Sequence, residues 1–530
     1  MPSSFLMSGV EGGTRLVGSR SPLLRGRVVA RRSRGDALCK CVSGSDAPGP
    51  ARCPPLRAQG LRVPPTLPLP TSNDEHEGDD DEGSSTQEAL FNAVNILMGV
   101  GLLSIPYSLN EGGWASLGVL GVIWGCTNYT GKILIKCQEV NSYRAKRKQL
   151  EETSNAASMD VPVTVEAVVV SEKLESDSPA VASTSEPSTS VVSDSPKESF
   201  VGKVLKSYED IGEAAFGPEG RKFITTILYA ELIGTCALFF ILEGDHLRML
   251  LEQLMPHRSL PSREELMAMS AGIFLPTTWL TDLSSLSYVG AFGVLSALGL
   301  TGVVTYEFFH GGMQIADTVA VHGDTLPSAF GLIAFVFAGH AVFPSIYASM
   351  KDKQEYGPML DKTYMIVGAT CITMGIAGYC MYGSGTMEEV TLNLPPGLLS
   401  LVSTSLILVS PFTKFALTLE PVARGVEQHL GISIKGPTGN LARLNRTGLG
   451  LGALFLATQV PYFAQVMSIV GSFLTITVSV MFPALCHLKL FDEDLETNEK
   501  YLNYLVLALG GFCAVSGTWT AVQELLKQLS

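Results

Sequence analysis

From residue 88 onward this chain is a succession of apolar runs long enough to cross a bilayer, and two of those runs are interrupted from within. The first interruption is Asn95-Ile-Leu-Met-Gly-Val-Gly-Leu-Leu-Ser-Ile-Pro106, and the second is Phe337-Ala-Gly-His-Ala-Val-Phe-Pro344. Glycine and proline weaken a helix, and hydrocarbon tolerates loose backbone only where protein or a water-filled cavity receives it. Paired breaks in corresponding segments of two halves are the sequence mark of a secondary carrier's substrate site.

Composition agrees with a membrane chain. Of 530 residues, 46% are hydrophobic and 16% charged. The net charge of −13 comes from 37 basic and 50 acidic residues, much of it in polar segments outside the apolar runs. Nucleic-acid binding is disfavoured, because the one dense basic stretch has no aromatic platform beside it. That stretch lies in residues 1–87, which read as a disordered cytosolic tail: arginine-rich from Arg15 to Arg62, then acidic over 74–82. Its first part also has the arginine-rich, acid-poor look of an organellar transit peptide. Cys39 and Cys41 lack a second pair or a nearby histidine, so no metal is expected, and no cofactor either. There is no phosphate-binding Gly-Lys-Ser/Thr loop, no Gly-x-Ser-x-Gly elbow and no paired-histidine motif, so the chain is not read as an enzyme.

Eleven segments are candidate spans: 88–108, 114–136, 222–242, 265–280, 285–306, 326–348, 362–382, 397–419, 446–463, 466–488 and 502–524. Residues 138–205 read as an inserted disordered cytosolic loop, and 525–530 as a short lumenal tail. With the amino terminus inside, the short inside flanks hold fourteen Lys and Arg, Arg446 among them, against four outside. The expected fold is therefore all-α and membrane-embedded, with spans 1–5 and 6–10 forming a LeuT-like five-plus-five inverted repeat whose helices 1 and 6 are broken, plus one extra helix.

Unwinding at Gly99-Val-Gly101 exposes main-chain N–H groups at the start of a half-helix, where the helix dipole favours an anion. An amino acid carboxylate suits that place, and freed carbonyls suit its ammonium group. The alternative is that the glycines merely allow close helix packing. Candidate substrate contacts are Asn95, Gly99, Val100, Gly101, Leu102 and Ser104 in the first break and Phe337, Ala338, Gly339 and His340 in the second. Phe335, Phe337, Phe343 and Tyr347 are candidate gates, with ordinary packing as their alternative.

Asn92-Ala-Val-Asn95 followed by Gly99-Val-Gly-Leu-Leu-Ser-Ile-Pro-Tyr107 resembles the opening span of the amino acid/auxin permease family. Further matching segments are Glu231-Leu-Ile-Gly-Thr-Cys236, Leu275-Pro-Thr-Thr-Trp279, Gly339-His340 with Phe343-Pro344, and Ser410-Pro-Phe-Thr-Lys-Phe-Ala-Leu417. Within that family the chain most resembles the vacuolar amino acid transporters of plants and fungi, over about residues 88–524. The resemblance implies proton-coupled movement of neutral amino acids across the vacuolar membrane, and the long tail is similar to the antiporter branch.

Proton coupling needs a titrating group within the membrane. Glu231, Lys414 and His340 are the candidates. In sodium-coupled carriers of this architecture the first and eighth helices enclose a cation, which the Lys414 ammonium could replace; a bond to Glu420 or to a free carbonyl is its bland alternative. Glu243 and Asp245 are expected to be solvated at the end of span 3. Export from the vacuole, proton symport, and amino acid sensing through a cytosolic partner of the tail are the competing functions. A channel is disfavoured by the absence of a continuous polar stripe.

Overall fold

A computed structural model describes residues 83–148, 205, 207–280, 286–310, 317–434 and 437–529. The tail up to residue 82, the segment 149–204 and Ser530 lie outside the described residues, and with them most of the expected disorder. Every named element is helical; the one β pairing among the described residues is an isolated bridge between Ser84 and Met350.

The first span is two half-helices, α1 (Thr86–Leu97) and α2 (Ile105–Gly112), joined through a 3₁₀ turn at Val100–Ser104 and bent by 47°. A capping box of Ser85 and Glu88 starts α1. Pro106 sits in the first turn of α2, where its missing N–H costs nothing. Gly113, at φ 68°, turns the chain after α2; a Cβ there would meet the Val319 carbonyl oxygen at 2.6 Å. Then follow α3 (Ala115–Gln138), α4 (Tyr208–Leu254), α5 (Arg263–Thr277) and α6 (Leu286–His310). The second broken span is α7 (Leu326–Val336) and α8 (Phe343–Ser349), with Pro344 again in the first turn of the later half. After it come α9 (Tyr356–Tyr382), α10 (Leu398–Leu430), α11 (Gly439–Gln459), a composite helix of α12 (Phe463–Ile469), a π-helical stretch (Val470–Met481) and α13 (Phe482–Leu490), and finally α14 (Thr497–Leu529).

Among the described residues, six helices are long and apolar enough to cross a membrane, and the bent pair α1–α2 makes a seventh. The 15-residue α5 falls short in length, and α3 and α11 carry basic residues near their ends. Contacts between helix ends define two faces. On one, Ser84 bonds Ser349, Arg147 pairs with Asp494, and Arg446 donates to the Thr278 carbonyl. On the other, Trp114 N–H bonds the Val319 carbonyl, and Arg263 donates to the Pro461 carbonyl. We refer to these as the first and second face.

Two boundaries and the placement of one cation differ from the sequence reading. Helix continues over 140–148, inside the segment expected to be a loop from 138. Arg144 donating to the Leu490 carbonyl, the Arg147–Asp494 pair and Tyr143 against Phe491 hold it to the end of α13. The third span runs on to Leu254 instead of ending at 242, so Glu243 is buried, and the expectation that it is solvated is overturned. Arg446, counted above as an inside loop cation, is buried between Glu427 and Glu420 at 2.8 and 2.6 Å. Without it, thirteen Lys and Arg remain on the flanks expected to be inside.

Candidate functional site

The two breaks meet. A Cβ on Gly101 would lie 3.0 Å from Val336 Cγ2 and 3.2 Å from Phe335 Cδ1, so the first break seats directly on the end of α7. Gly339 of the second break sits likewise against Leu97, at the end of α1. Four half-helices thus converge where hydrocarbon would otherwise leave their ends unsatisfied.

Val100, Gly101, Leu102 and Ser104 are buried. The Ser104 hydroxyl donates back to the Gly101 carbonyl at 2.9 Å. Gly99, Val100 and Leu102 face a small, mainly apolar cavity of about 20 Å³, bounded on its other sides by Ser296 and Leu300 of α6 and by Ile407 and Ser410 of α10. That is room for about one water molecule, so the site is closed around the break. Asn95 is buried and turned toward α6, its side chain filling the space a Cβ on Gly293 would need, and its Oδ1 has no protein partner.

In the second break, Phe337 stacks on Tyr364 with ring centroids 5.7 Å apart, and Ala338 and Gly339 close short turns onto the Phe335 and Phe337 carbonyls. His340 lies in the break but is turned toward α3. Its Nε2 is 3.0 Å from Thr130 Oγ1 and 3.1 Å from the Thr127 carbonyl oxygen. A carbonyl only accepts, so Nε2 carries the hydrogen, and Nδ1 is left without a partner. Phe343 packs on the His340 ring, and the Tyr347 hydroxyl donates to Glu139.

Among the described residues, Lys414 is the charged side chain that bonds the first break. It lies on α10, three residues beyond Pro411, and is 7% exposed. Its Nζ donates to the Met98 carbonyl at 2.9 Å, the peptide at which α1 comes undone. Glu420 is committed elsewhere, to Arg446 and Arg424. Glu231, mid-way along α4, accepts a 2.7 Å hydrogen bond from Thr475 of the π-helical stretch. The widened π turns also leave carbonyls free for other helices: Ser479 O accepts from Thr130, and Val478 O from Tyr208. No hydrogen bond joins Glu231, His340 and Lys414 to one another.

A second polar cluster, at the second face, went unseen in the sequence because α4 was read as ending too early. It gathers Asp245 and His246 of α4, Arg263 of α5, and Glu388, Glu389 and Thr391 of the segment between α9 and α10. The signal was present in His246-Leu-Arg-Met-Leu-Leu, which carries the helical pattern of α4 onward past 242.

Residues 82–152 and 190–523 match the family described as transmembrane amino acid transporter protein. Amino acid transporter AVT1B of Arabidopsis thaliana is 31% identical over 462 residues, covering 84% of this chain and 72% of that protein. AVT1C of the same plant is 30% identical over 475 residues, covering 86% and 72%. The vesicular GABA transporter of Caenorhabditis elegans is 22% identical over 474 residues, covering 87% and 84%. Among solved structures, MhsT in complex with L-phenylalanine superposes with a TM-score of 0.51 at 12% identity, covering 83% of this chain and 99% of that one. That likeness shows a shared LeuT-like fold.

Proposed function

The chain belongs to the transmembrane amino acid transporter family, and on that premise we propose that it exchanges neutral amino acids for protons across the vacuolar membrane. In this reading it crosses the membrane eleven times, the first face is cytosolic and the second lumenal. The observation that carries antiport is the bond from Lys414 Nζ to the Met98 carbonyl. A carbonyl freed by the break is the natural acceptor for a substrate's ammonium group, and Lys414 already occupies it. One acceptor with two competing ammonium groups makes proton and substrate alternate occupants, which is the requirement for exchange.

The remaining parts follow from the same geometry. The backbone at Gly99–Gly101 would take the substrate carboxylate at the start of a half-helix. Its side chain would enter the cavity beside Leu102, Leu300 and Ile407, whose lining offers no charge to an acidic or basic side chain. Lys414 would give up its proton toward the cytosol as substrate binds, and regain one from the lumen after release. His340 and Glu231 would carry protons between helices, each beside the π-helical stretch. Organellar loading also accords with the name of the vesicular GABA transporter among the relatives.

The test is uptake of labelled neutral amino acids into proteoliposomes under a pH gradient of either sign. Uptake driven by an acidic interior, collapsed by a protonophore and lost in Gly101→Leu, supports antiport. Uptake driven only by an acidic exterior would establish symport instead. Saturable binding with no flux under either gradient would make the chain a sensor.

A further inference from the structure

The cluster at the second face leaves one carboxylate with no donor at all. Glu389 is 1% exposed, and neither of its oxygens accepts a hydrogen bond. No nearby donor is aimed at it, and Arg263 Nε, though itself without a partner, does not bond it either. The Arg263 guanidinium is bound through its two Nη groups to Asp245 and to the Pro461 carbonyl. The Ala464 N–H, at the start of α12, goes to Glu388 at 2.8 Å. His246 Nδ1 lies 3.0 Å from the Leu242 carbonyl oxygen, which fixes its hydrogen there, so Nε2 accepts from the Thr391 hydroxyl at 2.8 Å. Nδ1 is also 3.1 Å from Glu389 Oε2, but its hydrogen is directed to Leu242 and is not aligned to donate to the carboxylate. Glu243, on the same side of α4 and 7% exposed, has an unpartnered Oε2 as well.

An ionised carboxylate buried without a donor is far costlier than a neutral one. Arg263 is the one formal cation facing the group. Against it stand Asp245 from α4 and Glu388 from the same segment, while Tyr107 and Glu111 of α2 and Glu524 of α14 lie within electrostatic reach of Glu388 or of one another. Burial, with Asp245 and Glu388 close by, pushes the Glu389 carboxyl well above the usual carboxylate range.

We propose that Glu389, packed beside His246, is a proton-binding site at the second face, distinct from Lys414, Glu231 and His340, which holds one proton while the segment 383–397 is closed on α4. The segment is pinned at this site by Thr391 on His246 and by Glu388 on α12. Lifting it would return Glu389 to water, where it ionises. The closed form therefore binds more protons than the open one, and rising pH on this face favours opening. Its part in transport rests on the antiport reading, in which an acidic lumen would load this site and close the lumenal side; the binding of the proton does not.

Backbone amide exchange at Ala464 measures closure, because its N–H is hydrogen-bonded to Glu388 across the contact that lifting the segment breaks. The full chain in lipid nanodiscs would be compared at about pH 5.5 and about pH 7.5, after correction for the intrinsic pH dependence of exchange. A one-proton link allows protection to fall by up to about tenfold per pH unit. Wild type should show that fall, Glu389→Gln should stay protected at both pH values, and Glu252→Gln, an exposed carboxylate change at the same face, should behave as wild type. Protection that does not change with pH in wild type overturns the proposal without need of any variant, as does a fall that persists in Glu389→Gln. Gradient-driven uptake on the same preparations separates the two readings. Uptake without the protection step removes this site and leaves antiport; the step without gradient-driven uptake does the reverse.

Discussion

Lys414 concentrates the chemistry of the break into a single contact. Replacing it with methionine keeps most of the side chain's volume and removes the donor to Met98. Lys414→Met should lower gradient-driven uptake by more than about tenfold, the cost of losing a charge-assisted hydrogen bond, while exchange of labelled for unlabelled amino acid without a gradient survives. Lys414→Arg should not restore coupling, because a guanidinium keeps its proton throughout the cycle. Thr475 tests Glu231 in the same way: Thr475→Val strips the carboxylate of its donor and should cost about 1–3 kcal/mol of stability, read as a lowered unfolding temperature in detergent. Reading Lys414 beside the first helix rested on its place in the eighth span and on the cation that helices 1 and 8 enclose in sodium-coupled carriers of this architecture. That it would bond a carbonyl and not Glu420 was beyond sequence, since Glu420 was already taken by Arg446, and that pairing spans two helices.

The elements divide into those whose sequence announces them and those whose sequence conceals them. Both broken helices were legible, because glycine and proline at fixed places disfavour continuous helix whatever surrounds them. The π-helical stretch was not, since Val470–Met481 has the composition of any apolar span, and its widening depends on neighbours. Gly331 and Gly471 show how close those neighbours are: a Cβ on Gly471 would fall 1.9 Å from the Gly331 carbonyl oxygen. Gly471→Ala should therefore prevent α7 from packing on the π stretch, seen as loss of monodisperse protein. The end of α4 was misplaced for the opposite reason, because charged residues read as a boundary when the structure buries them. The Arg446 network, tying α11 to α10 and α5, is another such case. Arg446→Ala leaves Glu427 buried and unpaired and should cost about 3–5 kcal/mol, with Arg446→Lys recovering part of it in thermal unfolding.

For the whole molecule, the proposed orientation makes a direct prediction. In sealed vacuolar vesicles, a cysteine at the exposed Glu264 should react with an impermeant maleimide only after the membrane is opened, and one at Asn440 should react at once; the reverse pattern would invert the topology. The meeting of the two breaks also bears on how the chain is made. α1 and α2 are each too short to be stable helices alone, and the surface that receives them, from Leu326 onward, is synthesised long after Leu97 leaves the ribosome. At about 5–20 residues per second, that interval lasts roughly ten to fifty seconds. Throughout it the first membrane segment must rest in the insertion machinery or against a chaperone with its unwound backbone unpaired. Biogenesis, more than the finished fold, is then the stage at which changes in this segment are most dangerous.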